Sequence, residues 1–122
     1  MNNQHPYLTI EVTSTPEAHT VALSGEADLS GAPSIEAAVA DAASKAQRMI
    51  LDLRNLTFID SSGLRALMRG HEQCGARGVE LRVIPGPENV QRLFELSGMN
   101  EILPFFDPDF AGDAPFSDDS HV

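Results

Sequence analysis

The fold is decided by one stretch, MILDLRNLTFIDSSGL, which spans residues 49–64. Its first five residues, MILDL, form an apolar run that is typical of a central β-strand covered on two faces. The stretch ends in the motif DSSG at residues 60–63, and the apolar spacing then becomes helical, at Leu64, Leu67 and Met68. The sequence therefore predicts a strand that leads directly into a helix, with a carboxylate and two hydroxyls at the helix start.

The polar motif at this helix start has two interpretations. Asp and Ser side chains accept hydrogen bonds from the free N–H groups of a first helical turn, so Asp60 and the serines can be simple caps. The same N–H groups and the helix dipole also favour an anion, which makes the helix start a candidate anion site. Composition and spacing leave both interpretations open.

The chain before this stretch predicts a β-hairpin and one helix. Apolar residues alternate with polar ones at 8–12 and again at 21–23, and the second strand is expected to end at Gly25. An Ala-rich apolar face from residue 35 to residue 46 predicts a helix that packs closely on its neighbours.

The chain after the motif predicts two more helices and one more strand. Gly75 and Gly78 are expected to end the first of these helices, and a strand at 79–83 and a helix at 88–97 follow. The apolar segment 102–106 is either a last edge strand or a cover for the core. The order β-β-α-β-α-β-α, with an antiparallel hairpin followed by right-handed β-α-β crossovers, predicts an α/β domain with a small mixed β-sheet flanked by helices.

Length and charge limit the possible functions. The chain has 122 residues, of which 42% are hydrophobic, so one domain with a real core is expected over residues 1–106. The formal net charge of −10 argues against direct binding of nucleic acid or of an anionic membrane. Residues 107–122 contain five aspartates and neither lysine nor arginine, which predicts a disordered acidic tail whose removal changes stability little. The first six residues are expected to be frayed.

The remaining sequence signals favour a soluble, cytoplasmic protein without a metal or a cofactor. A lone cysteine, Cys74, excludes an internal disulfide bond, and no signal peptide or membrane-spanning run is present. His71 and Cys74 supply too few ligands for a zinc site. A serine hydrolase is disfavoured because the chain lacks a G-x-S-x-G motif and His71 lies about 13 Å from Ser62 along the helix. Nucleotide-binding glycine motifs are also absent.

The run ILDL-x5-IDSSGL resembles the central motif of the STAS domain, which is found in bacterial anti-sigma factor antagonists and in sulfate transporter tails. The segment GEAD at residues 25–28 is similar to that family's G-E-L-D segment, and PENV at 87–90 with LSGM at 96–99 is similar to its closing helix. The resemblance extends from Leu8 to Phe106. It implies the small mixed sheet with flanking helices that the pattern predicts.

The resemblance also implies the residues of a functional site. The second serine of D-S-S-G is the one that a kinase phosphorylates in the antagonists, and this residue is Ser62 here. Asp28 and Leu64 each have a second interpretation, as a loop residue and as a core residue respectively. Arg65 departs from the small residue of the best-known antagonists and adds positive charge beside the site. The implied partner-binding residues are Asp28, Asp60, Ser61, Gly63, Leu64 and Arg65.

By this resemblance, the chain is expected to be an anti-sigma factor antagonist in a partner-switching pathway and not an enzyme. The unphosphorylated form binds an anti-sigma factor that is also a serine kinase, and thereby releases the sigma factor. Phosphorylation of Ser62 ends that binding, and a PP2C-type phosphatase restores it. The protein is expected to be a monomer or a weak dimer. The alternative is a non-catalytic STAS scaffold subunit of a larger signalling or lipid-transport complex.

Overall fold

The computed structural model describes residues 7–110 and Phe116 of the chain. It contains four strands, three α-helices and one short 3-10 helix. The strands are β1 (Leu8–Ser14), β2 (His19–Ala27), β3 (Arg48–Ile59) and β4 (Glu80–Ile84). The helices are α1 (Ala32–Ala43), α2 (Ser61–Arg77) and α3 (Glu88–Ser97), and the 3-10 helix is Met99–Glu101.

The four strands form one mixed sheet in the order β1-β2-β3-β4. The β1–β2 hairpin is antiparallel, whereas β2 pairs with β3 and β3 pairs with β4 in parallel. Each parallel pair is joined through a helix, α1 in the first case and α2 in the second. The predicted element order and the mixed α/β sheet are therefore confirmed.

Strand β3 lies inside the sheet, as its apolar sequence predicts, but it is fully buried on only one face. Met49, Leu51 and Leu53 are completely covered, whereas Ile50 and Asp52 on the opposite face are partly exposed. The helices α1 and α2 pack against each other, and Gly70 of α2 lies close against Val39 of α1. The expectation of burial on two faces is wrong because polar side chains alternate with the apolar ones on the second face.

Three predicted element ends are wrong. Strand β2 continues past Gly25, whose φ of +97° accommodates a register shift, so that the strand extends to Ala27. Helix α1 ends at Ala43 and does not reach residue 46. Helix α2 passes through Gly75, which faces open space, and ends at Arg77, where the left-handed conformation of Gly78 supplies the cap.

The segment after α3 combines the two roles that the sequence left open. Phe105 forms a single parallel bridge with Val83 of β4, and the backbone N–H of Phe106 donates to the Val83 carbonyl oxygen at 3.0 Å. Leu103 and Phe106 are buried. The segment therefore adds one bridge to the sheet edge and also covers apolar surface. The predicted frayed start lies outside the described residues, as does most of the predicted acidic tail.

Across the described residues, no helix is long and apolar enough to span a membrane.

Candidate functional site

The site forms where the carboxyl ends of the parallel strands β2 and β3 lie side by side. Ala27 of β2 is paired with Ile59 of β3. One residue later, the backbone N–H of Asp60 donates to the carbonyl oxygen of Ala27 at 3.1 Å. The DSSG motif and the loop that begins at Asp28 are therefore held at the same edge of the sheet, although 32 positions separate Asp28 from Asp60 in the sequence.

The Asp60 side chain caps helix α2. Its Oδ1 atom accepts a hydrogen bond from the backbone N–H of Ser62 at 2.9 Å and another from Gly63 at 3.1 Å. Its backbone is extended, and its carbonyl oxygen accepts the first helical hydrogen bond, from Leu64 N–H. The capping interpretation is therefore confirmed. The alternative of an anion at these free N–H groups is wrong for Ser62 and Gly63, because the Asp60 carboxylate already occupies both.

Gly63 and Leu64 face the interior of the domain. A Cβ atom at Gly63 would clash with the carbonyl oxygen and the Cβ of Ala27, so only glycine allows α2 to begin this close to β2. The Leu64 side chain is 5% exposed and belongs to the main hydrophobic cluster. These two residues fix the position of the helix start, and Leu64 is a core residue.

Asp28 organises the loop between β2 and α1. Its Oδ1 atom accepts from the backbone N–H and the hydroxyl of Ser30, at 3.1 and 2.8 Å, and from Gly31 N–H at 3.2 Å. Its carbonyl oxygen accepts from Gly31 and Ala32, at the start of α1. The interpretation of Asp28 as the residue that starts the turn into the first helix is confirmed. This turn also fixes Leu29, whose side chain is 72% exposed.

Ser62 lines an open groove of about 320 Å³ between the start of α1 and the first turns of α2. Arg65 and Arg69, at positions i+3 and i+7 from Ser62, lie on the same side of α2 and line the groove with it. Ser62 is partly exposed, and no hydrogen bond to its hydroxyl group is found within residues 7–110. The groove is completed by Leu29, Ala32, Pro33 and Glu36.

The two arginines of the groove differ in their partners. Arg69 donates to the Glu36 carboxylate of α1 at 2.8 Å, an ion pair that bridges the two helices. Arg65 is exposed and makes no ion pair with any residue that the structure describes. The groove therefore offers one arginine that is already neutralised and one that remains available to a partner or a ligand.

The structure brings the predicted site residues together in two groups. Ser61, Ser62 and Arg65 present atoms to solvent, while Asp28 and Asp60 hold the two loops in place. Sequence reasoning missed Leu29, an exposed apolar side chain that lines the groove beside Ser62 and Arg65. A signal existed for Leu29, because it is a single large apolar residue within the polar turn DLSG.

The other candidate residues give no second site. Cys74 is buried, and this burial raises the pKa of its thiol, so the thiolate is disfavoured. His71 is partly exposed on the same helix. In the part of the chain that is described, no group of three or more His, Cys, Asp or Glu side chains is arranged to hold a metal ion.

Comparison with known proteins places this chain in a family. Residues 10–104 match the family described as "Mlab, STAS domain". The chain is 33% identical over 89 residues to an anti-sigma F factor antagonist of Paenibacillus polymyxa, a match that covers 71% of this chain and 76% of that protein. It is 26% identical over 97 residues to an anti-sigma-B factor antagonist of Staphylococcus aureus, covering 79% and 90% of the two chains.

A solved structure of an anti-sigma factor antagonist also has the same fold. The crystal structure of an anti-sigma factor antagonist from Mycobacterium paratuberculosis superimposes with a TM-score of 0.73 and 26% sequence identity, covering 86% of this chain and 89% of that one. No enzyme family is indicated by the family match or by these three relatives. The chain belongs to the STAS domain family of anti-sigma factor antagonists.

Proposed function

We propose that this protein binds an anti-sigma factor kinase while Ser62 is unmodified, and that phosphorylation of Ser62 by that kinase ends the binding. The observation that carries the proposal is the position of the Ser62 hydroxyl. Ser62 is partly exposed and lines the groove at the start of α2, and no hydrogen bond from the described residues engages its hydroxyl group. The Asp60 cap fixes its backbone, so the hydroxyl is presented from a rigid helix start.

The chemical step belongs to the partner. The Ser62 Oγ atom attacks the γ-phosphorus of an ATP molecule held by the kinase, and the bond to the β,γ-bridging oxygen breaks, so that ADP leaves. The hydroxyl proton passes to a base of the kinase. Asp60 is poorly suited to this task, because its Oδ1 atom already accepts two backbone hydrogen bonds. A PP2C-type phosphatase reverses the modification by transferring the phosphoryl group to water, which regenerates serine and releases inorganic phosphate.

The surface around Ser62 suits a protein partner. Leu29 is an exposed apolar side chain that lines the groove together with the polar residues Ser62 and Arg65, and protein interfaces commonly combine apolar and polar side chains in this way. A phosphoserine carries about −1.5 to −2 charges at pH 7. If the partner surface closes over a neutral hydroxyl, burying this charge without a partner costs about 3 kcal/mol or more, which corresponds to at least about a hundredfold in affinity.

The proposal is tested by phosphate mapping and by calorimetry. After incubation with the cognate kinase and ATP, one phosphate per chain is expected on Ser62, and Ser62→Ala is expected to remain unlabelled while Ser61→Ala is labelled normally. In the presence of ADP, the phosphorylated protein is expected to bind the kinase at least about a hundredfold more weakly than the unmodified protein. Phosphate on Ser61, or equal affinity of the two forms, would refute the proposal.

A second candidate function is a non-catalytic scaffold subunit of a larger complex. The observation that favours it is the description of the matching family, which names Mlab beside the STAS domain. A scaffold would copurify in a fixed ratio with other subunits, and Ser62→Asp would leave the complex intact. An antagonist would instead be recovered with the kinase only while Ser62 is unmodified.

A further inference from the structure

We propose that Arg65 binds the phosphate of phosphorylated Ser62 within the same chain, so that the groove between α1 and α2 is an intramolecular phosphoserine receptor. This inference rests on the proposed function, because it concerns the modified form of Ser62.

Two N–H groups at the helix start are not available to the phosphate. The backbone N–H groups of Ser62 and Gly63 already donate to the Asp60 carboxylate, at 2.9 and 3.1 Å. The dianion on Ser62 would also be repelled by this neighbouring carboxylate. A cation from elsewhere on the chain would therefore stabilise a phosphate at this position.

Arg65 is placed to supply that cation. It lies three residues after Ser62, so the two side chains are neighbours on the surface of α2, and both line the same groove. Of the arginines in the groove, Arg69 is engaged by Glu36 at 2.8 Å, whereas Arg65 has no ion-pair partner in residues 7–110. A guanidinium group can meet two phosphate oxygens at once, which makes arginine better suited than lysine to this contact.

The acidic groups near the groove set the expected strength of the contact. Glu36 of α1 and Asp60 at the helix start oppose the phosphate, as does Asp28 in the loop before α1, while Arg65 and Arg69 attract it. Because the groove is open to solvent, the attraction is partly screened. Pairing of Arg65 with the phosphate nevertheless has two effects on the proposed partner-binding surface. Phosphorylation adds a dianion, and it also withdraws the Arg65 cation from any partner.

The test uses full-length protein with phosphoserine incorporated at position 62 by genetic encoding, so that no kinase is needed. Titration of the phosphorus NMR signal gives the second pKa of the phosphate, which is about 6 in the absence of partners. Since an adjacent cation stabilises the dianion, this pKa is expected to rise by about half a unit in Arg65→Ala, to recover in part in Arg65→Lys, and to stay unchanged in Arg77→Ala. Arg77 is a matched control because it lies on the same helix, about 22 Å from Ser62 by helical rise.

A further variant tests the role of the second arginine. Glu36→Gln removes an opposing carboxylate and releases Arg69, so the phosphate pKa is expected to fall below that of the protein with Glu36. Equal phosphate pKa values in the parent protein and in the Arg65→Ala variant, at low salt, would overturn the inference. That outcome is distinct from failure of the proposed function, which would appear as an absence of kinase labelling at Ser62 whatever the pKa.

Discussion

The Oδ1 atom of Asp60 lies 2.9 Å from the backbone nitrogen of Ser62 and accepts its hydrogen bond. The residue before the two serines therefore fixes the peptide that carries the candidate phosphorylation site. Capping and function are not alternatives here, because the cap determines where the Ser62 hydroxyl is presented. This relationship predicts that changes at Asp60 act on stability and on phosphorylation together.

The first prediction separates the shape of the Asp60 side chain from its charge. Asp60→Ala removes the cap and is expected to cost about 0.5–2 kcal/mol in the free energy of unfolding, because the N–H groups of Ser62 and Gly63 lose their acceptor. Asp60→Asn retains a capping oxygen and is expected to cost only a small part of this. Urea denaturation of the three proteins measures the difference, and equal losses in both variants would show that the charge, not the cap, matters.

The second prediction compares two glycines of the same helix. Gly63→Ala is expected to destabilise the domain by about 1–3 kcal/mol, because the new methyl group meets the backbone of Ala27, which cannot move aside. Gly75→Ala is expected to stabilise it by about 0.5–1 kcal/mol, because that position is helical and has nothing within 4 Å of the added Cβ. Thermal unfolding measures both variants, and Tm is expected to fall in Gly63→Ala and to rise in Gly75→Ala. A stable Gly63→Ala protein would contradict the close approach of α2 to β2.

The fold was predictable because its local signals agree with one another. The run MILDL, the DSSG cap and the helix at residues 88–97 each carry their own local pattern, and the structure contains an element at each place. The wrong element ends lie mainly at glycines, where the sequence cannot distinguish a stop from a tolerated residue. Helix α2 continues through Gly75 to Arg77, and strand β2 continues through Gly25 because the next two residues still pair with β3.

The site was predictable only in part. Ser62 and Asp60 follow from a contiguous motif, whereas the groove requires two helices to be packed together. Glu36 and Ser62 lie 26 positions apart in the sequence, and no local pattern places them on one surface. The free state of Arg65 and the engagement of Arg69 depend on that packing too. These features could not be obtained from one sequence without its tertiary structure.

The third prediction concerns pH and the ion pair on the partly exposed face of β3. Asp52 accepts from Arg54 Nε at 3.1 Å and from the Arg54 backbone N–H at 3.0 Å. Partial burial acts to raise the pKa of Asp52, but the hydrogen bonds and charge of Arg54 outweigh it, so the pKa is lowered. A carboxylate with a lowered pKa stabilises the folded state above its unfolded pKa of about 3.9 and loses this effect as the pH falls through the folded value.

Asp52→Asn is therefore expected to be less stable than the parent protein at pH 7 and to approach it as the pH falls below about 4. Urea unfolding midpoints at several pH values between about 7 and about 2.5 measure the difference. The matched control is Asp41→Asn, which breaks an exposed pair with Lys45 and should change stability little. A difference between Asp52→Asn and the parent that is independent of pH would contradict the assignment.

The fourth prediction revises the expectation that removal of the acidic tail changes stability little. The Arg48 guanidinium lies over the ring of Phe116, with its central carbon 5.3 Å from the ring centroid. An exposed cation–π contact of this kind contributes about 0.5–1 kcal/mol. Phe116→Ala is expected to lower Tm by about 2–6 °C, while Phe110→Ala, at a side chain that is 63% exposed, is expected to leave Tm unchanged. Identical Tm values for both variants would restore the original expectation.

The last prediction concerns the apolar part of the proposed partner-binding surface. Leu29 and Leu96 are exposed to a similar extent, at 72% and 77% of their surface. Of the two, only Leu29 lines the groove that contains Ser62. Full burial of a leucine side chain contributes about 1.5–3 kcal/mol, whereas a leucine that stays exposed contributes nothing to binding. Leu29→Ser is therefore expected to weaken binding of unphosphorylated protein to the anti-sigma factor kinase by at least about tenfold.

Both leucines are exposed, so neither substitution to serine is expected to lower Tm by more than about a degree, within the usual range for surface changes. Calorimetry with ADP present compares the affinities of the parent, Leu29→Ser and Leu96→Ser. If Leu96→Ser weakened binding as much as Leu29→Ser, the partner would contact α3 and not the groove. If the Leu29→Ser variant bound normally while the protein phosphorylated on Ser62 did not, the switch would act through charge alone. Leu29 would then have no part in recognition of the partner.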